Sequence, residues 1–333
     1  MKHHLIFPLL ALGALACSPA PKNPPEMHTS QTAAPTTAPA DVSHGEAAVG
    51  TPATPPPISP EAPPRATGHR HAIRIELQHA TIQISPAIQY DAWTFGRQVP
   101  GPTLRVTVGD TVDFTLVNRA PIPHSMDFHA AEVSPSRVYV NVNPNDSLRY
   151  QFVARVAGAF LYHCGTAPVA AHIANGMYGA LIVDPRVPRP SAREFVLVQS
   201  EFYRQAAAGD STHQMLDWPK LLTLAPDEVV FNGRAAQYAT HPLVVKAGAP
   251  LRFYVVNAGP NRISAFHVVG AIFSRVWLDG RAIPTLEGVQ TVDVPVGGGA
   301  VFDVTLVEPG HYPFVTHAFA DATKGAVGIL AAE

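Results

Sequence analysis

From about residue 70 onward, apolar and polar residues alternate in short runs. IRIELQHATIQI (73–84), TLRVTVGDTVDFTLVN (103–118) and SLRYQFVARV (147–156) are three of them. EFVLVQSEFY, PLVVKAG, LRFYVVNAG, SRVWLDG, VFDVTLVEPG and AVGILAAE continue the series to the C-terminus. A period of two places successive side chains on opposite faces of a strand. Glycine, proline and Asn-Asp pairs punctuate the runs, so the pattern predicts antiparallel strands of a sandwich. Residues 204–222 have no clear period and are expected to form a helical turn or loop.

The runs repeat. Residues 103–118 line up with 242–257, glycine on glycine and asparagine on asparagine. DFH (127–129) then falls near AFH (265–267), and GMYGALIV (176–183) matches GAVGILAA (325–332). Two copies of one Greek-key β-sandwich account for this economically, in an all-β chain with domains at 67–187 and 188–333. The second copy has no cysteine and carries Ala326 where the first has Met177.

The N-terminus differs. A basic start precedes the apolar run Leu5 to Ala16, too short to span a bilayer and typical of a signal-peptide core. With Cys17 after it, residues 1–17 resemble a bacterial lipoprotein signal whose cysteine is acylated. Residues 18–66, rich in Pro, Ala, Thr and Ser, cannot bury a core and read as a disordered linker from a lipid anchor. An exported chain is expected, anchored in the outer membrane and facing the periplasm or the exterior. The net charge of −2, with no basic stripe, argues against nucleic acid.

Two cysteines occur in 333 residues. Cys17 belongs to the signal, so Cys164 has no disulfide partner, and a metal would hold its thiol. Residues 160–179, FLYHCGTAPVAAHIANGMYG, offer His163, Cys164, His172 and Met177. IPHSMDFHA (122–130) adds His124 and His129. Two histidines, one cysteine and a weak axial methionine form the blue-copper electron-transfer pattern, and zinc would not recruit a thioether. Cys164, His172 and Met177 therefore share a copper with His124 or His129. Adjacent residues of a strand face opposite ways, so His163 points away from Cys164. His124 and His129 are an odd number apart, so one joins Cys164 and the other joins His163. Asp127 shares the face of His129, giving a second group of His163, His129 and Asp127. The His163–Cys164 dipeptide would then bridge two metal centres. His267 and His317 stand out in the second copy. His28 and His44 read as solvated linker residues, His69 and His71 as strand-edge residues, and His213, His241 and His311 as loop or surface residues.

At YDAWTFGRQVPGPTLRVTVGD, PHSMDFHAA, YHC…HIANGMYG, FHVVG and the C-terminal VTH, the chain resembles the copper-containing nitrite reductases, most of all their lipid-anchored outer-membrane branch. The resemblance implies two tandem cupredoxin domains, a homotrimer and two coppers per chain. It implies a type 1 copper on His124, Cys164, His172 and Met177. It implies a type 2 copper on His129 and His163 of one subunit and His317 of its neighbour. Asp127 and His267 would be the catalytic pair that handles protons, and Val269 would shape the substrate pocket. Nitrite would be the substrate, and a periplasmic cytochrome c or a small cupredoxin the electron donor. One electron and two protons would convert nitrite to nitric oxide and water.

Three places depart from that family's pattern. EVSPSRVYV (132–140) replaces a glycine-rich stretch, Gly165 replaces a common alanine after the cysteine, and Gln290 replaces a glutamate. Two rival readings remain open. A two-domain multicopper oxidase acting on another small substrate would need HxH pairs, which HSMDFH does not supply. A lipid-anchored cupredoxin electron carrier would leave His129, His163 and His317 without chemical work. One, two or four coppers per chain would distinguish carrier, reductase and oxidase.

Overall fold

The computed structural model describes residues 56–333. The signal segment, Cys17, His28, His44 and the linker as far as residue 55 lie outside the described residues. Among the described residues, no helix is long and apolar enough to cross a membrane.

The alternating runs form four sheets. In the first sandwich, the strands Ile88–Phe95, Arg70–Ser85, Thr111–Asn118 and Ser147–Val153 lie side by side. A second sheet orders Leu104–Thr107, Tyr178–Asp184, Gly158–His163 and Asp127–Phe128. The second sandwich pairs the sheet of Glu228–Phe231, Arg193–Phe202, Pro250–Gly259, Gly299–Thr305 and Phe273–Leu278 with the sheet of His241–Val245, Val327–Ala332, Gly310–Thr316, Ser264–Val268 and Thr291–Val294.

The repeat extends to pairing sense. Arg70–Ser85 runs parallel to Thr111–Asn118, as Arg193–Phe202 does to Pro250–Gly259. The repeated asparagines do the same work in each copy. Asn118 Nδ2 donates to the carbonyls of Ile122 and Val142, both at 2.8 Å, while its Oδ1 accepts from the Ala120 amide. Asn257 Nδ2 donates to Arg262 and Val294, and its Oδ1 accepts from the Gly259 amide. An amide side chain ties off a loop in both cases, which explains its recurrence.

Each sandwich has its own core, around Phe114, Phe128 and Tyr162 in the first and Phe253, Phe266 and Phe302 in the second. A third apolar layer, including Leu161, Tyr178, Ile182, Tyr254 and Trp277, joins the two. The strand Gly158–His163 is therefore covered on both faces. Tyr162 and Cys164 enter the first core, whereas Ala159 and Leu161 enter the joining layer.

Three expectations change. The sheets are mixed and not purely antiparallel, since Leu104–Thr107 also runs parallel to Tyr178–Asp184 and His241–Val245 to Val327–Ala332. Residues 204–222 form the hairpin Arg204–Ala207 and Asp210–Leu216, then the short helix Trp218–Leu222. The hairpin extends the first sandwich's sheet, with His213 opposite Gln89, so His213 is a strand residue paired with Asp91 at 2.8 Å. Its polar composition hid the period because one face of an edge strand meets water. The linker's last residues are not free chain. Glu61 bridges Phe195, the Val196 amide donates to the Pro60 carbonyl at 2.7 Å, and Tyr238 Oη donates to the Ile58 carbonyl at 2.8 Å. Backbone hydrogen bonds to a sheet edge order a segment too polar to build a core.

Candidate metal centres

Cys164 follows directly on the strand Gly158–His163, and its amide donates to the Met177 carbonyl at 3.1 Å. The Met177 amide in turn donates to the carbonyl of His172, which sits on the short helix Val169–Ala174. Three residues of one short stretch, Cys164, His172 and Met177, are thereby tied together through the backbone. His124 comes from the other side, exchanging backbone hydrogen bonds with Val142 at 2.7 and 3.1 Å. His124 Nδ1 and His172 Nδ1 lie 3.0 Å apart, and the Cys164 sulfur lies 3.2 Å from His172 Nδ1 and 3.9 Å from His124 Nδ1. Cys164, His124 and Met177 are fully buried and His172 nearly so.

The electrostatics suit metal binding. Burial, then the charges of His172 and His79, push the His124 imidazole down to about 3. Burial, with His79 again, pushes His172 down to about 4. Both rings are therefore neutral near pH 7, with nitrogen lone pairs available to a cation. Two facing Nδ1 atoms beside a sulfur form a donor set for a soft, thiolate-seeking metal. The Ser125 amide donates to the sulfur at 3.3 Å, an outer contact that orients the ligand.

His163 turns the other way. Its Nδ1 lies 2.9 Å from the Cys164 carbonyl, and the Nδ1 of His129 lies 2.9 Å from the Gly297 carbonyl. With each Nδ1–H donating to its carbonyl, both Nε2 atoms carry lone pairs, and these meet at 3.1 Å. Asp127, register partner of His163, brings a carboxylate oxygen to 3.9 Å from its Nε2. Burial lowers the His163 imidazole, and the nearby His129 adds to this against opposition from the Cys164 carbonyl and Asp127. Asp127, His129 and His163 form the second group with ligand atoms close enough to share an ion, and this one opens to solvent. Neither His267 nor His317 belongs to it. Those two rings pair with each other at 5.3 Å, and His317 also packs edge-on against the exposed Phe319. His267 Nδ1 lies 2.7 Å from the Gln290 carbonyl. Val269 is 42% exposed at the end of the strand Ser264–Val268.

His69 and His71 turn to the buried Asp110 carboxylate at 3.3 and 2.8 Å, away from both groups. His241 and His311 stay exposed on strands of the second sandwich. Two neighbours of the first group escaped the sequence reading. Trp93 packs edge-on against His172 and His124, and His79 stacks on Trp93 at 5.4 Å. His79 and Trp93 are cross-strand partners, a relation that no single run of sequence displays. Together they line an open depression of about 490 Å³.

Comparison with known proteins agrees with this donor chemistry. The multicopper oxidase family model matches residues 76–188. A copper-containing nitrite reductase of Neisseria meningitidis is 37% identical over 284 residues, spanning 83% of this chain and 73% of the relative. The chain belongs to the copper-containing nitrite reductases. Another member, from Pseudomonas chlororaphis, is 31% identical over 81% of this chain and 78% of its own length. The solved copper nitrite reductase of Nitrosomonas europaea aligns with a TM-score of 0.72 at 34% identity, covering 79% of this chain and 94% of that one. A multicopper oxidase structure at 24% identity and TM-score 0.70 shares the fold. The all-β, cupredoxin-like architecture read from the alternating runs is thus that of the nitrite reductase family.

Proposed function

We propose that this chain reduces nitrite by one electron to nitric oxide, holding two coppers. The first is held by His124, Cys164, His172 and Met177, and the second by His129 and His163 with His317 of a neighbouring copy. The observation that carries the reading is that two adjacent residues serve two separate groups: Cys164 meets His124 and His172, while His163 meets His129 and Asp127. Copper held by these residues would supply a one-electron couple and a Lewis acid for a small anion.

The chain's own residues do the rest. The covalent Cys164–His163 link, closed by the contact between His163 Nδ1 and the Cys164 carbonyl, is the shortest path between the groups. Burial keeps the first group dry and poised for electron transfer alone. Nitrite plus one electron and two protons gives nitric oxide and water, so two proton donors are required. Asp127 stands at 3.9 Å from His163 Nε2, and His267 lies beside His317, the imidazole a neighbour would bring. These two serve as general acids, and Val269 beside them limits the size of the bound anion.

We carry the exported, lipid-anchored location, the homotrimer and a periplasmic cytochrome c or small cupredoxin donor as parts of the same proposal. The test is anaerobic nitrite turnover by the copper-loaded protein with direct detection of nitric oxide. Two coppers per chain and nitric oxide are expected, and His129→Ala should abolish turnover while keeping the visible thiolate–copper band. Two coppers without nitric oxide would refute the substrate, and one copper would reduce the protein to a carrier.

A further inference from the structure

Tyr139 follows the short helix Pro135–Val138, and its ring lies against Gly165, the residue after Cys164. A Cβ on Gly165 would sit 1.6 Å from both the Cζ and the Oη of Tyr139. The phenol therefore fills the volume that any side chain at position 165 would need. The chain around it is pinned. Thr166 Oγ1 donates to Asn141 Oδ1 at 2.8 Å, and Val142 pairs with His124 through the backbone. Residues 139–142 thus lie as a strap over the turn from Cys164 to Thr166. The phenol makes no hydrogen bond with any described residue, so packing alone holds it. Burial raises its hydroxyl above the usual range, and the negative charges of Asp127 and Cys164 add to this, which puts Tyr139 within electrostatic reach of both groups.

We propose that Tyr139 is the stopper of the Cys164 centre: seated in the notch left by the missing Cβ of Gly165, its ring closes a solvent route to the sulfur. It is a positioning residue that works by excluding water. A sealed thiol is inert, and an opened one reacts in proportion to its exposure. A second consequence rests on the copper reading above. Two neutral imidazoles and one thiolate leave the site at net +1 when the metal is oxidised and neutral when it is reduced. Water admitted through the opened route favours the charged form, so loss of the ring lowers the reduction potential.

The test uses the full-length, metal-free protein and iodoacetamide, following the Cys164 peptide by mass so that Cys17 does not contribute. Tyr139→Ala should alkylate about tenfold faster or more. Gly165→Ala should do the same, because its Cβ expels the ring. Tyr139→Phe keeps the ring and should react at the wild-type rate. Wild type unfolded in urea marks the ceiling. If Tyr139→Ala reacts there and has lost its circular dichroism, Tyr139→Leu decides, with an intermediate rate expected and the wild-type rate counting against the stopper. Wild-type rates for both Tyr139→Ala and Gly165→Ala overturn the proposal, as does Tyr139→Phe reacting as fast as Tyr139→Ala. After copper loading, Tyr139→Ala should favour the oxidised form about tenfold, about 59 mV for one electron. An unchanged potential overturns the tuning. A wild type that binds copper without a thiolate band instead defeats the copper reading, and the alkylation result stands apart from it.

Discussion

Mild acid should weaken the metal-free protein steeply, with His124 and His172 as the cause. Their folded-state values, about 3 and about 4, lie below the 6.5 of a free imidazole. The unfolded chain therefore binds protons that the folded chain refuses. A depressed value contributes stability that is present above pH 6.5 and lost as pH falls toward the folded value. A fully bound proton is worth about 1.4 kcal/mol per pH unit, and because a free imidazole is only half protonated at pH 6.5, two rings cost about 3 kcal/mol between pH 6.5 and 5. That is a large part of the roughly 5–15 kcal/mol by which a domain is stable. Both rings are almost fully buried, so solvent does not screen the effect. Glu201 and Glu228 work in the opposite sense, because burial raises their carboxyls and folding then favours the proton. Comparison with a variant removes their contribution. Urea unfolding of the metal-free protein at about pH 7, 6 and 5 should show the steep wild-type loss, and His124→Asn with His172→Gln should make it markedly shallower, the remainder coming from His79 and His163, whose imidazoles burial also lowers. His172→Gln alone should remove about half of what the pair contributes, since burial still depresses His124. Parallel slopes for wild type and double variant would refute the reasoning.

Asp127→Asn preserves shape but cannot pass a proton, so nitrite turnover should fall about 10²–10⁴-fold while copper content stays unchanged. Simultaneous measurement of nitric oxide and bound copper checks it. Gly299→Ala places a Cβ 2.0 Å from the Ala159 backbone carbonyl, where the joining layer cannot yield. It should cost about 2 kcal/mol or more, read as a lowered thermal midpoint.

The strands were legible wherever one face is dry and the other wet, as in Arg70–Ser85 and Ser147–Val153. The repeat was legible because Asn118 and Asn257 tie off equivalent loops with the same three hydrogen bonds. The grouping of His163 away from Cys164 follows from strand alternation alone. What the sequence could not display was contact across strands. His79 and Trp93 meet only through register, and Tyr139 meets Gly165 only because one loop crosses another. The hairpin at 204–216 escaped because an edge strand in water has no need for a strict apolar period.

The second group raises a question of completeness. Its two Nε2 atoms converge, but within the chain no third imidazole joins them among the described residues. His317 is exposed elsewhere on the surface beside His267, and Phe319 next to it is 56% exposed. On the proposed reading, the Asp127–His129–His163 face of one copy meets the His267–His317 face of the next. The two faces are unlike, so the contact is heterologous, and the proposed homotrimer would be the ring in which such contacts close. The decisive consequence is complementation. His129→Ala removes a ligand from one face and His317→Ala from the other, so each homogeneous assembly lacks every second site and should be inactive. In a mixed assembly, an intact face of one variant meets the intact face of the other at about a quarter of the contacts. Co-expression of two inactive chains should therefore restore about a quarter of wild-type nitrite turnover, with copper content rising in step. A mixture as inactive as its parents would mean that His317 serves no neighbour and that the second site is built within a single chain.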